Sequence, residues 1–287
     1  MDLIEVLKYI FLGIIQGLTE VLPVSSSGHV ALSQALLNIE NDEGILFLVL
    51  VNFGSMIAIM IYFRKMLLRL IQSSILVMFR RNREPSRMDD FHYVIKIGVA
   101  TIPFALLGLF VNRFVNQFYT AHLLFVVAFG LLVTSTFLFA VRFAPEQHVR
   151  QKLRFSDAIV IGLIQPLAMI PGLSRSGITT STGLLKKVSM ETALTFSMML
   201  YIPLSLGVFV YYLGPWLINP ASVDIGFDPT NWCGYIYYFV SFVASFFATL
   251  ISLKYIFKYF RQGKLTVFAI YTLILGLIAL GSAIVNG

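Results

Sequence analysis

Glu20, Ser26, His29 and Arg175 are the residues of this chain best placed to do chemistry, because each interrupts an otherwise apolar stretch. A carboxylate inside apolar sequence costs several kcal/mol unless it is paired or holds a metal. Gln16 precedes Glu20 by four residues, so on a helix both project from one face. A carboxylate and an amide oxygen on one face suit a hard divalent cation, Mg²⁺ or Ca²⁺. The simpler alternative is that Glu20 only caps the turn that follows it.

That turn is Pro23-Val24-Ser25-Ser26-Ser27-Gly28-His29, and the apolar run Val30–Leu37 comes next. Serines at a helix start accept from free backbone N–H groups. The same N–H groups, with the helix dipole, form an anion site. Ser25 and Ser27 are therefore candidate phosphate ligands. Ser26, a hydroxyl near a histidine, is a candidate nucleophile. The plainer reading is helix capping with His29 as a structural residue. A second such turn is Pro171-Gly172-Leu173-Ser174-Arg175-Ser176-Gly177-Ile178-Thr179. Arg175 is the only cation in the middle of that stretch, and its fork suits phosphate. Ser174, Ser176 and Thr179 would add hydroxyl donors. Arg175 could equally serve only to neutralise Glu20.

Both turns must be positioned by the rest of the chain, and composition says how. Hydrophobic residues make up 58% and charged residues 12% of 287, and the charged share is about half that of a soluble domain. This excludes a soluble enzyme, a disordered chain and a secreted disulfide scaffold. The single cysteine, Cys233, can form neither an internal disulfide nor a Cys-rich zinc site. The net charge of +7 is confined to short loops, the pattern of membrane topology rather than of nucleic-acid binding. The first apolar run carries Asp2, Glu5, Gln16 and Glu20 and lacks a small-residue cleavage site, unlike a signal peptide.

The expected architecture is all-α and polytopic, one membrane unit over 1–287. Six segments can cross a bilayer: Gly44–Phe63, Val94–Asn112, Leu123–Val141, Thr192–Leu213, Asn231–Leu253 and Leu265–Asn286. Lys and Arg crowd the loops Arg64–His92, Arg142–Ser156 and Lys254–Lys264, whereas Gly214–Thr230 has only Asp224 and Asp228. The positive-inside rule puts the first three in the cytoplasm and both termini outside. Leu3–Asn38 and Phe155–Val188 are too broken to cross and read as re-entrant hairpins, allowed only where protein or a watery cavity covers them. They resemble each other at an offset of 149 residues, with Gly13, Gln16, Leu18, Ser25, Ser27 and Gly28 matching Gly162, Gln165, Leu167, Ser174, Ser176 and Gly177. Each precedes three spans, which gives inverted-topology repeats over about 1–150 and 151–287. The short run Leu70–Phe79 either lies at the interface or extends the first span. One acid, one histidine, one arginine and several hydroxyls between lipid-facing helices fit a diphosphate whose tail lies in the bilayer.

Gln16–Glu20 with Pro23–His29, and then Pro171–Gly177, resemble the two motif regions of the bacterial undecaprenyl-diphosphatase (bacitracin-resistance) family, and the resemblance runs over nearly the whole chain. It implies hydrolysis of undecaprenyl diphosphate to the monophosphate carrier of peptidoglycan synthesis, and hence bacitracin resistance. It also implies a divalent cation and a bacterial plasma-membrane location with the site open to the outside. By matching positions, Glu20 and Gln16 would serve the metal or activate water, and Ser26 would be the nucleophile. His29 would carry protons, Arg175 would grip the diphosphate, and Ser174, Ser176 and Thr179 would bind phosphate. Gln16 stands where some members carry Glu, Asn52 where His or Gln is usual, and Pro166 where a small residue is usual. Asn52 is therefore left out of the expected site. The expected partners are the lipid substrate and the bilayer, with a homodimer allowed and no nucleic acid.

Two other readings compete. Type-2 phosphatidic acid phosphatases share Ser-Gly-His and Ser-Arg segments but need a later histidine, and the last one here, His148, precedes Arg175. A polyprenyl-phosphate transporter without hydrolysis would use the same repeats and phosphate donors, but it would need neither His29 nor a nucleophilic Ser26.

Overall fold

The computed structural model describes residues 2–37, 39, 45–80, 83–143, 149–219, 232–260 and 265–286, with only the backbone at 45, 108–121, 217, 260 and 286. The expected outer loop with Asp224 and Asp228 lies outside these residues, as do His148, Arg81, Arg261 and Lys264. Within them the chain is helical: α1 Leu3–Val21, α2 Ser26–Leu36, α3 Ile45–Tyr62, α4 Arg64–Phe79, α5 Pro85–Ala140, α6 Phe155–Ile164, α7 Arg175–Leu185, α8 Met190–Ile218, α9 Trp232–Phe260 and α10 Leu265–Asn286.

This is a polytopic membrane protein. Among the described residues, five helical segments are long and apolar enough to cross a bilayer, and a sixth crossing results if α3 and α4 are counted together. Their outward faces carry large apolar side chains such as Val210, Phe239, Phe247, Ile274 and Ile278, as lipid contact requires. Two of the expected spans, Val94–Asn112 and Leu123–Val141, both fall within α5 as two crossing segments separated by a kink. No glycine or proline lies between Asn112 and His122 to end it, and the break falls at His122 (φ −144°, ψ 46°). The segment after α3 is a separate helix. The chain bends by 76° at Phe63, so α4 does not continue the line of α3.

Each stretch expected to form a hairpin folds as two helices joined by a turn. Helix α1 runs unbroken for 19 residues before its turn. Helix α6 lasts ten residues and passes into a 3-10 segment, Gln165–Met169. Pro166 has no N–H to continue an α-helix, whereas its counterpart at the 149-residue offset is Gly17. Gly17 has a packing reason as well: a Cβ there would fall 2.7 Å from the Ala248 Cβ of α9. Small residues on α1 and α9 let the two backbones approach. Ser241, Thr249 and Ser252 of α9 then donate to the Tyr9, Gly17 and Leu18 carbonyls at 2.7, 3.1 and 2.9 Å. This clamp fixes the face of α1 that carries Gln16 and Glu20. The second hairpin is held by α5, where Thr134 Oγ1 accepts from the Ser174 amide at 2.8 Å and donates to the Gly172 carbonyl at 3.3 Å. Gly172 has φ 89°, a conformation glycine adopts without steric cost.

Basic and acidic residues gather at one end of the bundle. Arg69 pairs with Asp90 at 3.3 Å, Lys152 with Asp89 at 2.7 Å and Arg150 with Asp157 at 2.7 Å. Helix α3 ends and α8 begins at this end, since Thr192 Oγ1 donates to the Gln151 carbonyl.

Candidate active site

The turns of the two hairpins meet. Ser25 caps α2 by accepting the Gly28 amide at 3.2 Å, and Ser174 caps α7 by accepting the Gly177 amide at 3.0 Å. Ser176 Oγ donates to the Leu22 carbonyl of the other hairpin at 2.9 Å. Glycines line this junction. A Cβ on Gly28 would stand 3.2 Å from Gly172, and one on Gly177 would stand 3.4 Å from Pro23. Under the 149-residue offset these two contacts exchange partners, because position 28 becomes 177 and position 23 becomes 172.

Helix α2 begins at Ser26 and α7 at Arg175, and these two positions are also related by the offset. Both reach the same carboxylate. Ser26 Oγ donates to Glu20 Oε2 at 2.6 Å, and Arg175 donates to Glu20 Oε1 at 2.9 Å. Gln16 Nε2 adds a bond to Glu20 Oε2 at 2.8 Å. Glu20 is 8% exposed, so its charge is compensated chiefly by these groups. Arg175 is held further by the Ser197 carbonyl at 2.8 Å, and its guanidinium carbon stands 4.3 Å over the Tyr201 ring.

A cavity of about 210 Å³ opens over this cluster, lined by Glu20, Ser25, Ser26, Ser27, Ser174, Arg175, Ser176, Asn52, Tyr201 and Ser205, with Val49, Phe104, Leu204 and Val208 among its apolar residues. It is smaller than the ~300–1,000 Å³ of most small-molecule sites and suits a head group rather than a whole lipid. The first turns of two helices border it, and helix starts favour anions.

Seven of the expected residues therefore line one cavity: Glu20, Ser25, Ser26, Ser27, Ser174, Arg175 and Ser176. Gln16 lies behind Glu20. Thr179 is buried and hydrogen-bonded to Ser197 Oγ at 2.7 Å and to the Arg175 carbonyl at 2.7 Å. His29 does not line the cavity. Its Nδ1 meets the Ser25 carbonyl at 2.7 Å and its Nε2 meets the Tyr271 hydroxyl at 2.7 Å. Asn52, set aside on sequence grounds, belongs to the cluster: its Oδ1 accepts from Gln16 at 3.1 Å and from the Tyr201 hydroxyl at 3.0 Å. Sequence reasoning missed Tyr201. The signal was present, since Asn52 shifted by 149 falls on Tyr201.

Among the described residues no three His, Cys, Asp or Glu side chains gather, so an all-protein metal cage is not what this site offers. Glu20 has about four lone-pair sites and meets three donors. A hard cation here would have to be held through this one carboxylate together with substrate phosphate oxygens.

Fold and site define a class: a polytopic helical membrane protein with a polar cavity where the turns of two helical hairpins meet. The chain belongs to the family of bacitracin resistance protein BacA, whose family model matches residues 9–278. It is similar to undecaprenyl-diphosphatase 3 of Bacillus anthracis, with 36% identity over 96% of this chain and 97% of that protein. Undecaprenyl-diphosphatase 1 of Bacillus licheniformis is 34% identical over 98% and 99% of the two chains. The undecaprenyl-diphosphatase of Oceanobacillus iheyensis is 33% identical over 96% of each.

Proposed function

We propose that this protein is an undecaprenyl-diphosphatase, hydrolysing undecaprenyl diphosphate to undecaprenyl phosphate and phosphate and so returning the carrier to cell-wall synthesis. The observation that carries the reading is the convergence of Ser26 and Arg175 on Glu20 at the floor of a cavity sized for a head group. The names of relatives covering nearly the whole chain support it.

In this reading the diphosphate enters between the two helix starts. The first-turn N–H groups, Ser25, Ser27, Ser174 and Ser176 hold its oxygens, and Arg175 offers its remaining guanidinium donors. Ser26 Oγ attacks the terminal phosphorus while Glu20 takes its proton. The bond from that phosphorus to the bridging oxygen breaks, and the lipid monophosphate leaves. Water then cleaves the phosphoserine, releasing phosphate and restoring Ser26. A nucleophile already bonded to its base is what this step needs. A divalent cation held by Glu20 and the substrate would neutralise phosphate charge. Both nitrogens of His29 are engaged away from the cavity, so we assign it to holding the Ser25 turn.

We further propose a bacterial plasma-membrane location, the two halves as inverted repeats, both termini external, and a cavity open to the external side. The repeats are supported by the exchanging contacts at the junction. The orientation is supported by the course of the cavity: it follows α8 from Tyr201 to Val208 and α3 from Asn52 to Val49, away from the basic end.

The test is phosphate release from undecaprenyl diphosphate by purified protein in detergent, with and without chelator, beside Arg175→Ala. Release that stops in both arms is expected. Release that persists with chelator removes the cation. No release from folded protein overturns the hydrolase reading, and a lipid-flipping assay would then test transport.

A further inference from the structure

Arg175 and Glu20 are buried, opposite in charge and joined by a single hydrogen bond of 2.9 Å. Left alone, such a pair favours a two-bond fork, which would turn one edge of the guanidinium onto Glu20 and re-aim the donors left for phosphate. Two contacts hold it off. One is the bond to the Ser197 carbonyl at 2.8 Å, and the other is the Tyr201 ring beneath the guanidinium at 4.3 Å. Tyr201 is itself anchored, since its hydroxyl donates to Asn52 Oδ1 at 3.0 Å. Asn52 Oδ1 accepts from Gln16 Nε2, which also donates to Glu20 Oε2. The contacts close into a ring from Glu20 through Gln16, Asn52, Tyr201 and Arg175 back to Glu20, tying α1, α3, α8 and α7 together.

We propose that Tyr201 is the positioning residue for Arg175: its ring sets the plane in which the three N–H donors not taken by Glu20 and Ser197 are offered to the diphosphate. This rests on the diphosphatase reading above. The ring face makes the hold, because a desolvated cation over an aromatic face is worth far more than an exposed one. The hydroxyl only fixes the ring's place over Asn52.

The experiment compares Tyr201→Phe, which keeps the ring, with Tyr201→Met and Tyr201→Leu, which lose it. For each, KM and kcat are measured for undecaprenyl diphosphate, and binding of inorganic pyrophosphate is measured by titration calorimetry. Tyr201→Phe is expected within about threefold of wild type in both. Tyr201→Met is expected to raise KM and weaken pyrophosphate binding by roughly tenfold or more, and rescue by Phe is what a general packing role would not give. Tyr201→Leu repeats the test in a smaller side chain, should the methionine variant not yield folded protein. Equal damage in the Phe and Met variants, or wild-type values in Met, overturns the proposal. If wild type releases no phosphate but binds pyrophosphate in this Tyr201-dependent way, the hydrolase reading falls and the positioning role stands. If wild type does neither, both fall.

Discussion

The first hairpin places Ser26 at its second helix's first position and keeps Glu20 six residues before it; the second places Arg175 and Met169 at the corresponding positions. Their caps are alike, Ser25 to Gly28 and Ser174 to Gly177, and each cap serine pairs with the serine two residues on, at 3.3 and 3.2 Å. The shared part is backbone chemistry, which any anion site at a helix start needs. The differing part is charge: one hairpin brings the acid and the hydroxyl, the other brings the cation. Neither could bury its charge alone without a large desolvation cost. The pairing therefore welds the two hairpins together at the site.

The hairpins also differ in what they leave unsettled. Ser25 has φ 71°, outside the range serine prefers, whereas Ser174 is extended at φ −81°. Strain of this kind collects at functional sites, and here it lies beside Ser26, the proposed nucleophile. Gln16 is bonded twice, but its counterpart Gln165 is 0% exposed with no hydrogen-bond partner among the described residues.

The comparison can be broken most directly at its weld. Glu20→Ala and Arg175→Ala should each lower turnover by about a thousandfold or more while the protein still inserts. The double variant should be no worse than either single one, since the pair acts as a unit. Additive losses in steady-state phosphate release would show that the two hairpins act separately. Next comes the first position of each helix. Ser26→Ala should cost roughly a hundred- to a thousandfold in turnover. An enzyme that keeps near-full turnover would replace serine attack with attack by water.

Smaller effects sharpen the contrast. Gln16→Leu removes a donor from Glu20 and should lower kcat/KM by about tenfold, the worth of a bond to a charged group. Gln165→Leu, which removes an orphaned amide, should leave kcat/KM unchanged and keep or raise the thermal midpoint. Equal losses at both sites would mean that the second hairpin takes part in more than phosphate capture. Smallest and opposite in sign are the caps. Ser25→Gly relieves the positive φ and should stabilise by about 1 kcal/mol. Ser174→Gly gives up a relaxed cap and should destabilise by a few tenths to about 1 kcal/mol. Thermal unfolding of both variants in one detergent checks the signs.

Much of the site was legible because it is local. Two serine caps, Gly28 and Gly177, and lone charges in apolar sequence can be read without knowing any distant contact. The membrane class follows from composition alone, because so few charges cannot cover so much apolar surface. The offset of 149 residues was visible as well, and followed further it would have led from Asn52 to Tyr201. Harder to see was the 76° bend after α3, where no proline or glycine marks the break.

The sequence by itself determined the helices, their apolar lengths, the caps and the residues able to do chemistry, because these depend on neighbours a few positions away. Only the tertiary structure decided which of them meet. It turned His29 toward Tyr271 and brought Asn52 and Tyr201 into the cluster. It also set Ser26 and Arg175, 149 residues apart, on the two oxygens of one carboxylate. Contacts of that range depend on how whole helices pack, and local patterns of residue type carry little information about that.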